Sequence, residues 1–204
     1  MPSVVRRPVA RPAAVAALLG ALAVAGCGGG EGDPSAEVVS PSPVDLGPSA
    51  KVELARGIYK ENNPGGDEKP LVSSEASTCI ADRLVESIGV EDLVRMGVLT
   101  NQAVYRSAPF SVPGVEAKAW IAAFDGCLDL DDYMLGVARA GVRIEAPAYG
   151  ERDTAWAKAR TCLDSAPGAS QAVMLGQLTA KPRKDAPTTA FVECVKIAYA
   201  EVTL

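Results

Sequence analysis

The chain has 204 residues, 20 basic against 25 acidic, and no histidine. Its 48% hydrophobic and 22% charged residues are ordinary globular usage, which excludes a wholly disordered or collagen-like chain and suits one domain with trimmings. Without histidine there is no Ser-His-Asp triad, Cys-His nucleophile, HExxH zinc site or imidazole shuttle, and the net charge of −5 argues against nucleic acid as a partner.

The first segment is an export signal by composition. Arg6, Arg7 and Arg11 precede an uncharged run of Ala, Val, Leu and one Gly over residues 13–25. That run has the length of a secretory h-region and falls short of the roughly 20 apolar residues a membrane span needs. It ends in Val24-Ala25-Gly26-Cys27, preceded by Leu22 and followed by Gly28-Gly29-Gly30. Here the sequence resembles a bacterial lipoprotein precursor, with Val24-Ala25-Gly26-Cys27 matching the lipobox.

The resemblance covers residues 1 to about 30 and says nothing of the fold beyond them. It implies that residues 1–26 are a signal peptide, and that Cys27 receives a diacylglyceryl group and becomes the first mature residue. It also implies a lipid-anchored protein on the extracytoplasmic face of the cell membrane. Two acyl chains give the two-signal anchoring that one chain does not, at about 0.8 kcal/mol per buried CH₂. Removing the three signal arginines leaves 17 basic against 25 acidic residues, a net charge of −8. Anionic headgroups repel such a chain, so the lipid has to do the holding.

Residues 28–50 are rich in Gly, Pro and Ser, hold four acids and no base or aromatic residue, and offer only Val38, Val39, Val44 and Leu46 as sizeable apolar groups. Such a stretch buries too little surface to offset its ordering entropy. The expected organisation is therefore a signal (1–26), a lipidated Cys with a disordered linker (27–50) and a folded domain (51–204).

The domain reads as all-α. Ser73 or Ser74 caps a helix through Ser87, with Ile80, Leu84 and Ile88 at i, i+4 and i+8 and Gly89 as its stop. Further helices are expected over 90–96, 115–128, 129–140, 152–165, 170–178 and 187–201. Only 102–105 and 142–145 read as short strand. Gly and Pro at Pro64-Gly65-Gly66, Pro113-Gly114, Pro147 and Pro167-Gly168 punctuate these segments.

An internal repeat divides the bundle into two related units. Thr78-Cys79-Ile80, Gly97-Val98-Leu99-Thr100 and Ala123-Phe124-Asp125-Gly126-Cys127-Leu128 return as Thr161-Cys162-Leu163, Gly176-Gln177-Leu178-Thr179 and Ala190-Phe191-Val192-Glu193-Cys194-Val195. The alternative is chance similarity in an Ala- and Val-rich chain. With Cys27 reserved for lipid, four cysteines remain, an even number that in an exported protein reads as a disulfide framework. Three connectivities are open, and the repeat selects Cys79 with Cys127 and Cys162 with Cys194. The competing zinc reading lacks closely spaced Cys pairs, and a nucleophilic Cys would lack a His base.

Other chemistry has less to stand on. Asp125, Asp129, Asp131 and Asp132 crowd into eight residues, but without EF-hand order; capping of the helix that begins there is expected, with a cation site as the alternative. Asp82, Glu86, Glu91 and Asp92 supply acids without a pattern that selects a catalytic pair. Lys181, Arg183 and Lys184 form the one dense basic spot, expected to be solvated. Trp120 and Trp156 lie in helical stripes and are expected in the core. No phosphate loop appears, and no metal or cofactor is expected. Two functions follow: a non-catalytic envelope lipoprotein binding a protein partner or a ligand, or a lipid-anchored hydrolase using carboxylates with or without a metal.

Overall fold

A computed structural model describes residues 46–64, 70–145 and 152–200. The signal, Cys27 and the linker up to residue 45 lie outside the described residues. Those described are all-helical, with no strand longer than one isolated bridge. The helices are α1 (Gly47–Asn62), α2 (Ser74–Ser87), α3 (Val90–Arg95), α4 (Gly114–Asp125), α5 (Leu130–Glu145), α6 (Asp153–Asp164), α7 (Ala169–Leu178) and α8 (Ala186–Ala200).

Helix α1 has no counterpart among the expected elements, and it begins inside the segment read as linker. Pro48 sits in its first turn, where a fixed φ suits a helix and the missing N–H costs no bond. Ala50, Leu54 and Ile58, one per turn, are buried against α2. The small Ala50 hid the first member of that stripe among Gly, Pro and Ser, so the linker's last four residues belong to the fold.

The remaining starts follow local chemistry. Ser73 caps α2, its hydroxyl accepting from the Ala76 amide at 3.1 Å. Gly89, at φ +87°, turns the chain from α2 into α3, with Glu91 and Asp92 in the first turn. Asp129 caps α5 by accepting from the Asp132 amide at 2.9 Å. Asp185 does the same for α8 through the Thr188 amide at 3.0 Å.

Residues 142–145 correct the strand reading, because they are the last turn of α5. Val142 is buried, and nothing in Val142, Arg143, Ile144 or Glu145 interrupts a running helix before Pro147 disfavours it. Residues 102–105 are likewise no strand: only Leu99 and Tyr105 pair, as an antiparallel bridge. Thr100 builds the turn between them, its hydroxyl accepting from the Gln102 and Val104 amides at 3.2 and 3.1 Å.

One continuous core joins the elements. Helix α2 packs on α1 and α4, α4 on α7, α5 on α6 and α7, and α8 on α6 and α7. Trp120 and Trp156 are both buried in it. Cys79–Cys127 joins α2 to the turn after α4 with Cα atoms 5.8 Å apart, and Cys162–Cys194 joins α6 to α8 at 5.4 Å. The pairing is the one the repeat selects, and Leu99 and Leu178 are both buried, but Cys127 lies in the turn after α4 whereas Cys194 lies inside α8. The middle blocks diverge. Gly97 lies in a turn at φ +77°, whereas Gly176 and Leu178 are inside α7, and the Thr179 hydroxyl donates to Leu175 instead of building a turn.

Each bridge closes a loop of 48 or 32 residues, which on the chain-entropy model contributes about 4 kcal/mol. Removing either pair as a double Cys→Ala variant should lower stability by about that amount in chemical denaturation. Non-reducing peptide mapping should recover only the two parallel linkages, and a crossed pair would contradict the structure.

Candidate functional site

The last turns of α1 organise the principal concavity. Gly57 leaves room for the Tyr105 ring: a Cβ there would overlap its ring carbons. With its ring on α1, Tyr105 donates its hydroxyl to Glu61 Oε2, which also accepts from the Ala108 amide at 3.0 Å. The segment between α3 and α4 is thereby tied to α1. Its far end is fixed by the Val112 amide, which donates to the Leu178 carbonyl at 3.0 Å, and between the two ties Phe110 stands 78% exposed.

One residue on, Asn62 accepts from the Tyr133 hydroxyl at 2.7 Å and donates to the Ile58 carbonyl at 2.8 Å. The buried Asn63 accepts from the Leu71 amide at 2.7 Å and donates to the Val72 and Tyr59 carbonyls, both at 2.8 Å. It thus pins the α1–α2 connection while satisfying backbone groups that burial would otherwise strand.

These contacts frame a cavity of about 380 Å³. Trp120, Phe124 and Tyr133 form an aromatic wall, with centroids 6.2 Å apart in the first pair and 5.2 Å in the second. Met134, Met174 and Leu178 complete it, with Ala108, Pro109 and Phe110 along one side. A second groove, of about 640 Å³, is lined by Arg56, Gly57, Lys60, Pro64 and Arg106; it shares Glu61 and Tyr105 with the first.

Neither tyrosine is an acid–base group at neutral pH. Burial, then the neighbouring Glu61 carboxylate, pushes the Tyr105 hydroxyl far above its ordinary range. The same causes in the same order bring Tyr133 up to about 12. Both remain protonated donors that position side chains.

The acids singled out in the sequence lie elsewhere. Lys51 takes Asp82 at 3.2 Å and Glu86 at 3.6 Å, and Asp92 pairs with Arg95 at 2.8 Å. Asp129 and Asp132 converge on Arg160, at 2.9 and 2.7 Å, with Asp164 also bound and Asp131 at 3.9 Å. The clustered carboxylates therefore face a guanidinium that ties α6 to the start of α5, and Asp125 is exposed outside that group. In the basic spot, Arg183 pairs with Asp185 while Lys181 and Lys184 are exposed. Glu61, Tyr105 and Gly57 were not legible as a set, because 44 residues separate the first two. The available signals were a glycine inside an amphipathic helix and the Pro109-Phe110 pair in a turn-rich segment.

No family model matches the chain, and no curated protein or solved structure matches it.

Two outcomes follow. The Asp132 amide, with help from Arg160, holds the Asp129 carboxyl below its ordinary value. Its stabilisation is thus present above the unfolded pKa of about 3.9 and is lost as pH falls through the lower folded value. Arg160→Ala should cost about 1–2 kcal/mol at pH 7, discounted for exposure, and the gap from the parent should close in melts taken towards pH 2; parallel pH profiles would refute the assignment. Gly57→Ala gains about 1 kcal/mol of helix propensity against about 1–3 kcal/mol of overpacking on the Tyr105 ring. Since the overlap is with ring carbons, overpacking wins and thermal stability should fall; a gain would show that the ring yields freely.

Proposed function

We propose that this chain is an envelope lipoprotein, anchored on the extracytoplasmic face of the cell membrane through lipid on Cys27, whose helical domain is a non-catalytic binding module. The anchor rests on the lipobox and the basic, then apolar, segment before it. No helix among the described residues is long and apolar enough to cross a membrane, so the described domain supplies no span of its own.

One observation carries the binding reading: an aromatic-walled cavity in which Glu61, Asn62, Tyr105 and Tyr133 hold the walls through hydrogen bonds among themselves and to neighbouring backbone. A size of about 380 Å³ lies in the range of small-ligand sites. The alternative, a hydrolase working through carboxylates, calls for two acids converging in one concavity. Among the described residues that line the two concavities, Glu61 is the single carboxylate, and Tyr105 and Ala108 occupy its Oε2.

Cys27→Ala should move the protein from the membrane pellet to the supernatant after cell fractionation. The full chain carrying that change should enhance the fluorescence of neutral 1-aminoanthracene. A protein that stays in the pellet would defeat the anchor, and an unresponsive dye would defeat the cavity.

A further inference from the structure

We propose that the site takes a small anionic amphiphile, its single apolar tail in the aromatic-walled cavity and its head in the adjoining groove between Lys60 and Arg106. The inference rests on the binding reading and names the ligand class.

The two concavities differ in chemistry and meet at one threshold. Glu61 and Tyr105 line both. On one side the lining is apolar, with Trp120 and Phe124 prominent; on the other it carries Arg56, Lys60 and Arg106. Arg56 is held by Glu53 at 2.5 Å, whereas Lys60 and Arg106 are exposed and have no ion pair among the described residues. In a mature chain with a net charge of −8, two unpaired cations beside an apolar cavity run against the overall balance and create a local preference for anions.

Glu61 keeps its charge and offsets one of the two cations, which leaves the groove net positive. Its Oε2 already accepts from the Tyr105 hydroxyl and the Ala108 amide, and it stands at the threshold, so an anionic head is turned towards Lys60 and Arg106. Apolar tail and charged head therefore have separate places, the arrangement an amphiphile requires. The cavity's 380 Å³ is near the lower end for ligand sites, which selects one acyl chain or a small ring system over a two-chain lipid.

The test uses the mature chain, residues 27–204 with Cys27→Ala, free of detergent, titrated by calorimetry with decanoate, 1-decanol and decyltrimethylammonium below their aggregation limits. Decanoate should bind about tenfold more tightly than decanol, the gain expected from two exposed charge contacts, with the cationic amphiphile weakest. Added salt should narrow the differences. The double variant Lys60→Ala/Arg106→Ala, altered only at exposed positions, should bring decanoate to the decanol level and leave decanol unchanged. Val137→Phe, which fills the cavity from its half-buried rim, should weaken both.

Equal binding of all three amphiphiles would overturn the head assignment and leave the binding module intact. Absence of any binding would overturn both. Decanoate binding untouched by the double variant would place the anion elsewhere and refute the proposal. So would adherence to phosphatidylglycerol vesicles without uptake of decanoate, which would point to a lipid surface.

Discussion

The carboxylate of Glu61 is the contact on which the arrangement of the site depends. A single oxygen accepts from the Tyr105 hydroxyl and the Ala108 amide, and so fastens a long irregular segment to a regular helix. Without it the residues between α3 and α4 would keep the Leu99–Tyr105 bridge and the Val112 tie to Leu178, but Tyr105 would hold to α1 by the packing of its ring on Gly57 alone. Gly57 makes the contact geometrically possible and Glu61 makes it energetically favourable, one turn apart on the same helix face. Loops held this way can carry binding surfaces at fixed positions, because a rigid scaffold supplies the order that the loop lacks.

The same economy runs through the polar side chains of the core boundary. Asn62 and Asn63 serve hydroxyl or backbone groups that would otherwise be unpaired near the core, and Thr100 ties exposed backbone amides into a turn. Arg160 does the corresponding task for carboxylates on α5 and α6. A charge cluster that looks like a cation site in one dimension is in three dimensions a set of partners for one guanidinium. Among the described residues, Asp82, Glu86, Asp92, Asp129, Asp132, Asp164 and Asp185 serve as ion-pair partners or helix caps.

What was legible in the sequence is what local or repeated pattern encodes. Ser73 and Asp129 announce helix starts by residue type, Gly89 announces a stop, and the recurrence of Cys in equivalent blocks selects one disulfide connectivity out of three. Helix α1 escaped because its stripe starts on Ala50, too small to register as apolar amid Gly, Pro and Ser. Residues 142–145 misled because Val and Ile at alternate positions satisfy a strand pattern while the helix already running through Met134 continues. The Glu61–Tyr105 pair was out of reach for a different reason. Two residues 44 apart acquire a relation only through the packing of α1 and the turn at Thr100, and neither residue type alone hints at the other.

The covalent topology has a mechanical consequence. The two disulfides enclose residues 79–127 and 162–194, so α1 and α5 lie outside both closed loops. The cavity draws Tyr105, Phe110, Trp120 and Phe124 from the first loop, Met174 and Leu178 from the second, and Ile58, Asn62, Tyr133 and Met134 from the two unenclosed helices. The larger part of its walls is thus tethered by sulfur, and the rest is held by packing and hydrogen bonds alone. Amide exchange in α1 and α5 can proceed by undocking of either helix, with both crosslinked segments remaining closed. Loosening the cavity along either helix breaks no covalent bond.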